Sequence, residues 1–292
     1  MIKNWILASR PKTLFVSVAP VMLGASFAFY YGSFKWLPAL ICLVFALLAQ
    51  ITSNLINDYF DFKKGADTEE RLGPARMCAS GLIKPKAMLR ASMLTMTLAL
   101  LLGLSLLYWG GIELMLVGAT VAIFAFAYSG GPYPLAYKGW GDVAVLVFYG
   151  IVPVYFTYYV QRPVFELNVL LGSIAVGLLG MNLLIVNNYR DYFQDKAVGK
   201  VTTVVRFGRP FMSNIYLINI LIAFAIGSWI VGMETSLWWY SVIVFLIYSL
   251  KLWRSLISKE GKALNKVLGM TSFNVLIYAL LVSTCLLMDK LM

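Results

Sequence analysis

The chain has 292 residues, 61% hydrophobic and 13% charged, with a mean hydropathy of +0.80, which excludes an ordinary soluble globule. Its 24 Lys and Arg against 13 Asp and Glu give +11, but the basic residues sit in connectors between apolar runs. They form no basic soluble module, so no nucleic-acid partner is expected, and topology plus attraction to anionic lipid accounts for most of them. The absence of histidine excludes His triads, His metal sites and an imidazole base, and Cys42, Cys78 and Cys285 show no pairing or metal spacing.

In chain order, apolar runs of about 18 residues or more fall at 13–31, 36–57, 87–108, 112–130, 141–160, 166–189, 211–232, 236–256 and 264–288. The expected fold is therefore an all-α membrane protein, a bundle of nine transmembrane helices in one domain over 1–292. The opening MIKNWILASRPKTLF is basic and then apolar, but the run after Lys12 is long enough to span and no A-x-A site follows, so a cleaved signal is not expected. With the N-terminus in the cytoplasm, 21 of the 24 Lys and Arg lie on the inner side, and only Lys35, Arg162 and Lys290 lie outside. The run from 112 to 160 is interrupted at Gly130-Gly131-Pro132.

Two inner loops, about 58–86 and 190–210, carry both charge signs. The first begins SNLINDYFDFKKGAD and the second VNNYRDYFQDKAVGK. Asn54 precedes Asp58 by four and Asn187 precedes Asp191 by four; Asp-Tyr-Phe and a further acid, Asp61 or Asp195, follow in each, which hints at internal duplication. Spacings of three and four put Asn54, Asp58 and Asp61 on one helical face and Asn187, Asp191 and Asp195 on another. Both faces end on the same side, so six oxygen-bearing side chains converge in a hard-cation site suited to Mg2+. Lys63, Lys64, Arg71, Arg76, Arg190, Lys200, Arg206 and Arg209 supply counter-charge for a diphosphate. Helix capping or loop solvation explains one such cluster equally well; two matched clusters on one side argue for use, because carboxylates near a membrane are costly. Asn57, Asn187 and Asn188 stand beside the acids, whereas Asn182, Asn219 and Asn274 lie inside spans and are expected to bond between helices.

At these two motifs the chain resembles the UbiA superfamily of intramembrane aromatic prenyltransferases, which carry N-x-x-x-D and D-x-x-x-D elements at helix ends. Within it, the chain is similar to the members that prenylate 1,4-dihydroxy-2-naphthoate in menaquinone biosynthesis. The likeness rests on RPKTLFVSVAPVMLG at 10–24, SNLINDYFDFKKGAD with RLGPAR, GPYPLAYKGWGD at 131–142 and NNYRDYFQDKAVGKVTTVVRFG at 187–208. The last three spans match only as hydrophobic segments. Tyr133-Pro134 is followed by Leu135-Ala136-Tyr137-Lys138 rather than the Lys-Arg of 4-hydroxybenzoate members, and Asp142 stands where naphthoate members usually have Glu.

The resemblance implies a polyprenyl diphosphate donor, loss of CO2 and diphosphate, and a demethylmenaquinol product. It assigns Mg2+ to Asp58, Asp61, Asp191 and Asp195 with Asn54 assisting, and diphosphate contacts to Arg71, Arg76, Lys200 and Arg206. It places Lys12, Asn57, Tyr128, Tyr133, Tyr137, Asn187 and Asn188 around the substrates and leaves proton transfer to Asp142 or a tyrosine. The expected setting is a bacterial inner (plasma) membrane with the site facing the cytoplasm and no obligate protein partner. Other acceptors, such as homogentisate, 4-hydroxybenzoate, a glycerolipid or haem, stay open. A transporter is the rival class, disfavoured because carriers place ionisable groups near the bilayer midplane on broken helices.

Overall fold

The computed structural model describes residues 2–66, 71–232 and 236–291. Every regular element among them is helical. In order the α-helices begin with α1 (Ile2–Ser9), α2 (Pro11–Tyr30), α3 (Trp36–Lys63), α4 (Pro85–Ser105), α5 (Leu107–Gly110), α6 (Leu114–Ala127) and α7 (Gly141–Val145). A π-helical turn (Leu146–Ile151) leads into α8 (Val152–Tyr159), then α9 (Leu167–Arg190), α10 (Tyr192–Ala197), α11 (Thr203–Phe207), α12 (Arg209–Val231), α13 (Ser236–Ser258) and α14 (Leu264–Leu291). Pro11, Pro85 and Pro210 open α2, α4 and α12, in the first turn where a missing N–H is harmless.

Among the described residues, seven helical stretches are long and apolar enough to cross a membrane. The segment expected to span 112–130 is shorter: α6 has 14 residues, about 21 Å against a hydrocarbon core of roughly 30 Å. Its helix stops before the Gly130-Gly131-Pro132 break. The segment expected at 236–256 is the 23-residue helix α13.

Helix α9 is the axis of the bundle, packed against α12, α14 and the π turn. Its closest approach needs glycine on both sides: a Cβ on Gly150 would lie 2.4 Å from the Gly177 Cα. Pro153 donates no backbone hydrogen bond, and the π turn just before it takes up the irregularity. Asn219 donates to Asn182 Oδ1 at 2.9 Å, Asn182 donates to the Tyr216 carbonyl at 3.0 Å, and Asn274 donates to Ser249 at 2.9 Å. These bonds between helices match the expectation for intramembrane amides.

The connectors sort to two ends. At one end, the Lys35 N–H donates to Gln161 at 2.7 Å, Arg162 donates to the Tyr31 carbonyl at 2.9 Å, and Tyr30 lies beside Asp289. At the other, Lys64 donates to the Ser129 carbonyl at 2.6 Å, Val201 N–H to Tyr137 O at 3.1 Å, and Asn265 to Leu72 O at 2.8 Å. The loops expected on one membrane face are thus stitched to each other.

Candidate active site

The end of α3 carries two acids with different surroundings. Asp58 is buried, and its carboxylate accepts the backbone N–H of Met77 at 3.0 Å and of Cys78 at 2.9 Å, anchoring a turn within the first loop. Asp61 turns to the opposite partners: Tyr137 donates to Oδ1 at 2.8 Å and Arg76 to Oδ2 at 3.0 Å. One residue before Asp58, Asn57 accepts a hydrogen bond from Ser129.

Asn54 departs from the expected face. Its amide donates to the Ser9 carbonyl at 2.9 Å and to Thr13 Oγ1 at 3.1 Å, bracing α3 against the junction of α1 and α2. The pair facing the loops is therefore Asn57 and Asp61, with the same four-residue spacing as Asn187 and Asp191. A three-residue offset rotates a helical position by about 60°, and that rotation separates the two pairs.

Helix α9 delivers Asp191 at its end, and α10 carries Asp195 one turn on. Arg190 grips both Asp191 oxygens, through Nε at 2.7 Å and Nη2 at 2.6 Å. Lys200 donates to Asp195 Oδ1 at 3.1 Å, while Asp195 Oδ2 is buried with no hydrogen-bond partner. Burial pushes the Asp195 carboxyl up despite the adjacent lysine. Burial alone would lower Lys200, but Asp195 and Asp61, with a smaller effect from Asp191, outweigh it and hold the ammonium above its ordinary value. Lys64 is held low, by burial and by repulsion from Lys200, against an opposing pull from Asp61. Lys64 and Lys200 both lie over the Tyr137 ring, 3.9 Å and 5.6 Å from its centroid.

The tips of α3 and α9 thus meet around Lys200, which feels the acids of both. Each acid has its own cation here: Asp61 has Arg76, Asp191 has Arg190 and Asp195 has Lys200. No three acids among the described residues converge on one point, which departs from the expected preformed six-oxygen site. Asp67, Glu69 and Glu70 lie outside the described residues. The donor set nonetheless fits a hard divalent cation: Asp61, Asp191 and Asp195, one of their oxygens buried and unbonded, all act electrostatically on the same ammonium, Lys200.

An apolar cavity of about 460 Å³ lies among α2, α3, α4, α6 and the 141–160 segment. Its polar lining is Ser17, Gln50, Ser53, Tyr128, Tyr149 and Thr157. The Tyr149 hydroxyl lies beside Gln50 and Ser53. Tyr128 joins the cavity to the charged centre, within electrostatic reach of Asp142, Asp61 and Asp195. Asp142 is buried; its Oδ2 accepts from Thr203 at 2.6 Å and its Oδ1 has no hydrogen-bond partner. Gln50, Ser53, Ser129 and Tyr149 were not singled out by sequence reasoning, although polar residues from Gln50 onward, including Ser53, Asn54 and Asn57, interrupt the apolar run of α3.

Other expected residues stand apart. Tyr133 is 54% exposed and its ring is 5.9 Å from Lys138 Nζ, on the outside of the loop. Arg206 is exposed and donates to the Lys138 carbonyl at 3.4 Å, and Arg71 donates to the Pro74 carbonyl at 3.1 Å. Asn187 accepts from Arg190 at 2.8 Å and Asn188 is buried in α9. The Lys12 side chain lies outside the described part of the structure.

The model of the UbiA prenyltransferase family matches residues 17–278. The chain belongs to the UbiA prenyltransferase family. A 1,4-dihydroxy-2-naphthoate octaprenyltransferase of Mycobacterium leprae is 34% identical to this UbiA-family chain over 285 residues, covering 97% of it and 96% of the relative. The Escherichia coli protein of the same name is 38% identical over 210 residues, covering 70% and 68%. The fold is shared with a UbiA homolog from Archaeoglobus fulgidus solved with DMAPP and Mg2+, at TM-score 0.67 and 15% identity, covering 96% of this chain and 99% of that one. A UbiA homolog from Aeropyrum pernix K1, solved in its apo form, superposes with TM-score 0.69 at 14% identity, covering 96% and 98%.

Proposed function

We propose that this family member transfers a polyprenyl group from polyprenyl diphosphate to 1,4-dihydroxy-2-naphthoate, releasing diphosphate and CO2 and yielding demethylmenaquinol. The observation that carries the reading is the junction at Tyr128, where a charged centre built from two helix tips adjoins an apolar cavity of about 460 Å³. Such a division suits a molecule with an anionic head and a hydrocarbon tail. Relatives named for this reaction match most of the chain, which supports the naphthoate acceptor over the alternatives.

Asp61, Asp191 and Asp195 are the residues to hold Mg2+; Asp58 sets the loop that carries Arg76. When bound, the metal supplies Lewis-acid charge on the diphosphate oxygens. Arg76 and Lys200, which meet their acids at 3.0 Å and 3.1 Å, exchange those contacts for the departing diphosphate and neutralise it. Tyr128, Tyr137 and Tyr149 present π faces and hydroxyls where the allylic carbon sits, and the apolar cavity keeps water from it. Asp142 is buried, and its open Oδ1 makes it the residue to take the acceptor's proton.

The bundle is read as one prenyltransferase unit of nine spans, with α6 and α13 completing the set, the N-terminus in the cytoplasm and the site on the cytoplasmic face of a bacterial plasma membrane. Sorting of the basic loops to one end supports this arrangement. Purified protein offered labelled geranylgeranyl diphosphate with naphthoate, homogentisate or 4-hydroxybenzoate, with and without Mg2+, tests the reading. Metal-dependent diphosphate release with the naphthoate alone is the expected result. Substrate uptake into vesicles without diphosphate release would instead indicate a carrier.

A further inference from the structure

Arg190 is unlike the other two cations of the centre. Its side chain is 1% exposed, and each guanidinium nitrogen is engaged. Nε and Nη2 hold the two oxygens of Asp191, Nη2 also donates to Asn187 Oδ1 at 2.8 Å, and Nη1 donates to Asn265 Oδ1 at 2.7 Å. Asn265 belongs to α14, and its own amide donates to the Leu72 carbonyl in the first loop. The next residue, Gly73, leaves no room for movement: a Cβ there would lie 2.9 Å from Arg190 Nη2.

A guanidinium so enclosed has no path to a phosphate without breaking four bonds. It is a fixture, whereas Arg76 and Lys200 meet their acids through terminal nitrogens. The fork occupies one lone pair on each Asp191 oxygen and fixes the carboxylate plane, leaving further lone pairs on both. We infer that Arg190 is a positioning residue that orients Asp191 for the divalent cation, and that Asn265 on the last helix holds Arg190 in place. The last helix, α14, thereby takes part in the site. This inference rests on the proposed assignment of Asp191 as a metal ligand.

Mn2+ titration of the full-length protein in nanodiscs, followed by electron paramagnetic resonance, tests it without turnover. Arg190→Lys keeps the charge and loses the fork. The expected result is Mn2+ binding weakened by roughly tenfold to a hundredfold, the range for residues that orient a metal ligand, with stoichiometry and thermal midpoint close to wild type. Asn265→Ala should weaken binding in the same direction by a smaller factor. A merely structural role would lower the fraction of binding-competent protein and leave the affinity of the remainder unchanged. That outcome, or wild-type affinity in Arg190→Lys, overturns the inference. Asp61→Asn serves as the control: if it also leaves Mn2+ binding intact, the metal assignment itself fails, and if it alone abolishes binding, only the role of Arg190 does.

Discussion

Asp58 and Asp61 stand three residues apart on α3, yet one is spent on two backbone N–H groups and the other on Tyr137 and Arg76. Substitution should separate them. Asp61→Asn should reduce turnover by about a hundredfold or more, by the scale of losing one electrostatic group at a developing charge, with little change in thermal midpoint. Asp58→Ala leaves two buried donors unmatched and should cost about 2 kcal/mol of stability or more, read as a lowered midpoint in detergent. Lys200→Ala should raise the Michaelis constant for the donor and leave that for the acceptor near wild type; steady-state kinetics varying one substrate at a time give the comparison. At this scale the sequence was legible as to which side the acids occupy and which residue types gather. It did not tell Asn54 from Asn57, because a rotation of about 60° on one helix is decided by what packs against it. Here Ser9, Thr13 and the 77–78 turn cover one face, and none of these contacts is local in sequence.

Among the elements, α9 depends on close approach and α6 does not. Gly150→Val would force a side chain into the Gly177 backbone and should destabilise the bundle by about 1–3 kcal/mol. Gly118, whose added Cβ would meet only Leu100 at 3.6 Å, should accept alanine with a change under about 1 kcal/mol. Thermal unfolding of both variants in one detergent checks the contrast. Glycines within the helices thus divide: Gly177 and Gly172 face tight contacts, while Gly118 and Gly180 face ordinary ones. Apolar periodicity located helices at every expected segment, but it overran α6, since hydrophobicity continues through residues whose backbone has already turned. Long polar side chains are the other blind spot. The partnership of Arg190 with Asn265 joins residues 75 positions apart.

For the whole molecule, the two ends make a claim about sidedness. The wild-type cysteines are buried, so a single introduced cysteine can report without removing them. Lys138→Cys in right-side-out vesicles should resist a membrane-impermeant maleimide until the membrane is opened, and Arg162→Cys should label at once. The reverse pattern would place the site on the outer face. The central claim is that the tips of α3 and α9 act as one site on one divalent cation. A double-mutant cycle on Mn2+-dependent binding of a non-hydrolysable prenyl diphosphate analogue, with Asp61→Asn, Asp195→Asn and the pair, measures it directly. Each single change should weaken binding at least about tenfold, and the double variant should be little worse than either single one. Losses that simply add, or a single variant that binds as wild type, would show that the two acids do not serve a common ion.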